Sequence, residues 1–131
     1  MNREQAAQTY KQASIENAPP IKIVRMLYQG AIRFLDVAAS EDPDDPTSRF
    51  VEFVGKADDI VCELRLALDP SQPGDITANL ENLYLYSEDR LAQAQLERSV
   101  GPLADTRSIL VKLLEAWTEV EVETTRVPDQ R

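Results

Sequence analysis

Three short breaks rich in proline, glycine and acids divide this chain, and what lies between them is too long and too regular for strands. "SEDPDDPTS" (residues 40–48) holds two prolines and four acids among turn formers. "DPSQPGD" (69–75) holds two more prolines and a glycine, and Gly101-Pro102 makes the third break. Proline has no N–H to donate and glycine carries the largest backbone entropy cost, so each cluster stops a regular element. Between the breaks, apolar or small residues recur three and four apart, which is the helical period. The first segment, opened by Pro19-Pro20, shows Val24, Leu27, Tyr28, Ala31, Leu35 and Ala38. The second shows Phe50, Phe53, Val54, Ala57, Ile60, Val61, Leu64 and Leu68. Ile76, Leu80, Leu83, Tyr84, Ser87, Leu91 and Ala94 mark the third; Leu103, Thr106, Leu110, Leu113, Leu114, Trp117 and Val120 mark the fourth.

Helices of about 20 residues are about 30 Å long and, joined by short loops, favour antiparallel neighbours. The expected fold is therefore all-α: an antiparallel up-down four-helix bundle over residues 19–121. A short N-terminal cap segment, 1–18, precedes it, with Ala6, Tyr10 and Ala13 able to line one face. A run of that length is not stable as a helix without docking. "EVEVE" (119–123) reads as fraying helix that gives way to a disordered tail over 122–131.

Composition removes most chemistries. Histidine is absent, so neither a Ser-His-Asp nor a Cys-His nucleophile can be assembled. The same absence excludes His-containing zinc sites, the Glu-x-x-His di-iron motif of other bundles and histidine phosphotransfer. A single cysteine, Cys62, cannot form an internal disulfide and fits a reducing compartment. The net charge of −9 argues against nucleic-acid binding and against anionic membranes. No apolar run approaches the ~18–20 residues of a membrane span, and the first residues lack the apolar core of a signal peptide. A cytoplasmic, non-enzymatic protein without cofactor or metal is expected.

A helical wheel then exposes a surplus. On the first helix Leu27, Tyr28, Ala31, Leu35 and Ala38 lie within ~60° of Val24, which is a sufficient core stripe. A second apolar set, Ile23, Met26, Gly30, Phe34 and Val37, falls roughly 80–160° to one side. This helix is either central or covered by something further, and Gly30 marks a close approach by a neighbouring helix, the N-terminal segment or a partner. On the third helix Ala78, Leu85, Ala92 and Leu96 lie opposite the core face; on the second, Val51, Gly55, Cys62 and Leu66 do. Single apolar residues on a surface need no explanation, but contiguous patches mark partner sites. Small residues alternating with large ones make shallow grooves that suit a helix in a groove. Tyr86 suits a helix–helix contact with its hydroxyl at the rim. Tyr10 and Ile15, on the segment ahead of the bundle, could cover part of such a groove.

Several blocks of the sequence together match a known pattern. They are Tyr10, the Ala18-Pro19 helix start, "MLYQGAIRFLDVA" (26–38), "KADDIVCELRLALD" (56–69), "GDITANLENLYLY" (74–86) and "LLEAW" (113–117). In order and spacing the chain resembles the FliS family of flagellin export chaperones over roughly residues 10–117. It departs from the family pattern at Gln29, where an acid is usual, and at Ala18, where a serine or threonine cap is common. The resemblance implies an antiparallel four-helix bundle with an N-terminal cap. It also implies a client, the disordered C-terminal region of flagellin, held monomeric in the cytosol and delivered to the flagellar type III export gate. A disordered client loses entropy on ordering, which calls for a long wrapped surface. The residues expected to contact it are Tyr10, Ile15, Ile23, Gly30, Phe34, Val51, Cys62, Leu66, Ala78, Leu85, Tyr86, Ala92 and Leu96. A monomer, or a weak dimer without client, is expected; the alternative is a self-associating structural or regulatory bundle whose stripes pair with each other.

Overall fold

A computed structural model describes residues 20–125 and contains four α-helices in that range. They are α1 (Pro20–Ser40), α2 (Phe50–Leu66), α3 (Ile76–Glu97) and α4 (Gly101–Thr125). The first two breaks become connections, while Gly101-Pro102 forms the first turn of α4. The aspartates in them act as local caps for the turning backbone, the usual role of such residues in turns. Asp42 accepts from the Asp44 N–H at 2.9 Å, Asp45 from the Thr47 N–H at 2.8 Å, and Asp69 from the Ser71 N–H at 3.0 Å. α4 runs to Thr125, past the boundary at 121 expected from the sequence, because the "EVEVE" stretch continues the helix. Residues 1–19 and 126–131, which include Tyr10, Ile15 and most of the expected tail, lie outside the described residues.

The helices close into a ring: α1 packs on α2 and α4, and α3 packs on the same two. No backbones approach across the diagonals. Neighbours run antiparallel, as pairs from opposite ends of the numbering show: Phe34 meets Phe53, Arg65 meets Glu88, and Asp36 meets Arg107. The interior is filled by the residues whose spacing first suggested helices. Tyr28, Ala31, Phe50, Val54, Ala57, Val61, Leu91, Ala94 and Leu110 are fully buried. Others, among them Leu27, Phe53, Ile60 and Trp117, are half-buried against this core, and Ile76 and Leu83 are exposed, at 67 % and 36 %. Ile76 is the first residue of α3, at the rim of the bundle, and Leu83 stands to one side of the fully buried Tyr84, Ser87 and Leu91 line.

Two of the buried side chains are tyrosines, and a buried hydroxyl needs a partner. The Tyr28 hydroxyl on α1 hydrogen-bonds the Tyr84 hydroxyl on α3 and accepts the indole N–H of Trp117 on α4 at 3.3 Å. Ser87 and Thr106, the buried polar residues of α3 and α4, return their hydroxyls to carbonyls one turn back, Leu83 and Pro102.

The apolar surplus of α1 is largely taken up by α2. Phe34 stacks at a tilt on Phe53 with centroids 5.8 Å apart. The Lys56 ammonium lies over both rings, and the Arg49 guanidinium over Phe53, as cation–π contacts. Gly30 is buried against the same neighbour, yet no backbone crowds it. A Cβ there would meet the tip of Ile60 at 3.5 Å, an ordinary van der Waals contact. Of the three candidates for a close approach at Gly30, the neighbouring helix covers it through a side chain rather than its backbone, and the N-terminal segment lies outside the described residues. Ile23 and Met26 remain outside, 40 % and 56 % exposed.

Two outcomes follow from this packing. Gly30→Ala should raise stability by about 0.5–1 kcal/mol, the helix-propensity difference, with no clash to offset it; urea unfolding of the two proteins reads this directly. Tyr28→Phe should cost ~1–3 kcal/mol, because Trp117 N–H and Tyr84 O–H lose their partner inside the core. Burial pushes the Tyr28 hydroxyl above its ordinary value of 10, opposed in part by its bonds to Tyr84 and Trp117. Its contribution is therefore intact below that value and is lost as pH rises through the folded-state value. Alkaline unfolding curves should be steeper for the wild type than for Tyr28→Phe.

Candidate functional site

With the interior filled, apolar side chains left outside are the candidates for function, and the largest set is on α3. Ala78, Leu85, Ala92 and Leu96 all face away from the core, as their spacing implies. Leu85 is 42 % exposed and Leu96 86 %. The first three are seven residues apart, so they form a line along the helix axis.

The companion stripe on α2 is not on the outside. Cys62 is buried, and Val51 is half-buried and packed on the core cluster. The cause is α3. Gln95 donates to the Val51 carbonyl at 3.1 Å, and a Cβ on Gly55 would stand 3.1 Å from the same Gln95 amide nitrogen. About two turns along α3, Arg65 donates to both Glu88 oxygens at 2.5 and 3.2 Å and to the Cys62 sulfur at 3.7 Å. The glutamate holds the Arg65 guanidinium above its ordinary pKa, chiefly through that hydrogen bond. The small residues Gly55 and Cys62 do admit another helix, but that helix is α3 itself. Of the four, Leu66 at the end of α2 remains partly open and Val51 and Cys62 form the floor of the α2–α3 seam.

Tyr86 is 46 % exposed and its hydroxyl reaches Asp105 of α4 at 3.4 Å, beside the Arg90–Asp105 ion pair at 2.8 Å. It belongs to the α3–α4 seam, away from the Leu85 line. Of the expected contact residues, the structure therefore brings Ala78, Leu85, Ala92, Leu96 and Leu66 to one face. It places Ile23 exposed on α1, and Gly30 and Phe34 within the α1–α2 packing.

One feature escaped the sequence patterns. A cavity of about 180 Å³ opens at the end of the bundle where α1 begins. Val24, Leu64, Leu68, Ile76, Leu80 and Trp117 line it, with Tyr84 at its wall. These residues come from all four helices, so no single periodicity could have drawn them together. The exposed Ile76 and the sole tryptophan are what a search for misfits in the core pattern would have flagged. Among the described residues no group of metal-ligating side chains converges, and no helix is long and apolar enough to cross a membrane.

The sequence matches known proteins along most of its length. The family model described as Flagellar protein FliS matches residues 2–124. Several curated relatives are described as flagellar secretion chaperone FliS. That of Vibrio cholerae is 34 % identical over 122 residues, covering 88 % of each chain. That of Campylobacter jejuni is 32 % identical over 114 residues, 87 % of this chain and 88 % of the relative. That of Bacillus subtilis is 30 % identical over 110 residues, 84 % of this chain and 81 % of the relative. A four-helix ring with its polar interior tied off, an apolar line left outside on α3 and a match along nearly the whole chain lead to one conclusion: the chain belongs to the FliS family of flagellar secretion chaperones.

Proposed function

We propose that this protein is a cytoplasmic export chaperone whose client is the disordered C-terminal segment of flagellin. It binds that segment as amphipathic helices laid along the bundle, prevents premature polymerisation, and hands the client to the flagellar type III export gate. The observation that carries this reading is the outward line of Ala78, Leu85, Ala92 and Leu96 on a bundle whose core is already complete. Leucines exposed to this degree at helical spacing are anchors for an incoming helix. Ile23 and Met26 offer a second contact on α1. The cavity beside Trp117 is large enough to take an aliphatic or aromatic side chain of the client. Tyr10 and Ile15, on the segment ahead of α1, cover part of this surface until the client displaces them. Family membership supports the export-chaperone role, and binding rather than catalysis is the activity.

Calorimetry with a peptide from the flagellin C-terminus tests the assignment. Binding at or below tens of micromolar is expected, and a flat titration at that concentration removes the reading. Leu85→Asp and Leu96→Asp should each weaken binding by roughly tenfold or more, equivalent to ~1.4 kcal/mol, while the helical circular dichroism is unchanged. Equal affinities would move the site off α3. A chain that sediments as a monomer without client is expected; a stable dimer blocked by Leu85→Asp would show instead that the line pairs with a second copy.

A further inference from the structure

We infer that the α2–α3 face selects a client helix with cationic flanks: an amphipathic helix whose apolar stripe seats on Leu85 and whose lysines or arginines face Glu81 and Asp89. This deepens the proposed function and rests on it for the site, though not for the charge.

The charge on this bundle is segregated. α2 and α3 together carry eight acids and three bases. All three bases are already engaged: Lys56 lies 3.7 Å from Glu52, Arg65 is held by Glu88, and Arg90 by Asp105. Among the described residues Glu81 and Asp89, the acids bracketing Leu85, form no ion pair of this kind, although Glu81 adds to the negative field on Arg65. Glu81 and Asp89 sit one helical turn before and after Leu85, and both are exposed. On the solvent arc of α2, Asp59 is exposed and Glu63 half-buried. α1, by contrast, carries Lys22, Arg25 and Arg33 against one acid, Asp36, which Arg107 of α4 occupies through two contacts at 2.6 and 3.3 Å. An incoming helix with cationic flanks therefore finds complementary charge on α2–α3 and like charge on α1. A helix with acidic flanks finds the reverse.

Complementary flanks act in two ways here. They raise the rate of encounter, and they fix which way round an apolar stripe is seated, since leucine contacts alone are non-directional. The charges on Glu81 and Asp89 are in water, so their pull falls as salt shortens the screening length. The acids thus make this face selective without making it sticky to every apolar helix.

The test uses the full chain and two synthetic helices of matched helicity with an identical leucine stripe, one flanked by lysine and arginine, the other by glutamate. At low salt the cationic helix should bind roughly tenfold tighter or more, and raising ionic strength from about 0.05 M to about 0.5 M should erase most of that difference. Glu81→Lys combined with Asp89→Lys should abolish or reverse the preference; both positions are exposed, and circular dichroism checks that the bundle is intact. Equal binding of the two helices, a preference untouched by the double variant, or no binding of either overturns the inference. Titration of the flagellin segment in parallel separates the two claims. If that segment binds through Leu85 and its affinity ignores both salt and the double variant, the charge selection fails and the chaperone assignment stands. If that segment does not bind while the cationic helix does, the assignment fails and the selection stands.

Discussion

The bond between the Tyr28 and Tyr84 hydroxyls is the constraint around which the bundle is arranged. Diagonal helices in a ring have no backbone contact, so the centre belongs to side chains alone. Two tyrosines reaching across it would leave two hydroxyls in a region without water, at a cost of a few kcal/mol if unpaired. They satisfy each other, and the Trp117 N–H completes the set from a third helix. The rotational setting of α1, α3 and α4 is thereby fixed at one level: turning any of them breaks a buried hydrogen bond. Apolar packing is tolerant of such shifts, and polar pairing is not.

A four-membered ring also explains why helix faces here differ from a simple in-or-out division. Each helix has a stripe toward the centre and a flank toward each neighbour. On α2 one flank, Phe53 and Ile60, meets α1, and the other, Val51, Gly55 and Cys62, meets α3. Only the remaining arc is solvent. Glu52, Lys56, Asp59 and Glu63 occupy it, all of them charged.

The number of helices, their register and nearly all of the core could be read from spacing, because a period of 3.6 and a proline-rich break are local properties. The Leu85 line could be read for the same reason. The α2 stripe could not. A wheel measures angle from the core direction, and Val51 and Cys62 stand far enough from it to look external, although a neighbouring helix lies against them. Gly30 was similarly ambiguous, since a glycine reports room for something without saying whether a backbone or the end of an isoleucine fills it. The cavity near Trp117 depends on where four chain segments end relative to one another, which no linear pattern encodes.

Arg98 closes α3 with a left-handed backbone, φ 49°, unusual for a side chain other than glycine or asparagine. Its guanidinium donates to the Pro43 carbonyl at 2.6 Å and to the Asp45 carbonyl at 3.2 Å. The α3–α4 turn is therefore laced to the α1–α2 connection, and both lie at the same end of the bundle. The other end has a single connection, residues 67–75, together with the start of α1, the last turns of α4 and the cavity. Side-chain bonds to backbone carbonyls thus stitch one end of the bundle, while the cavity beside the only tryptophan opens at the other.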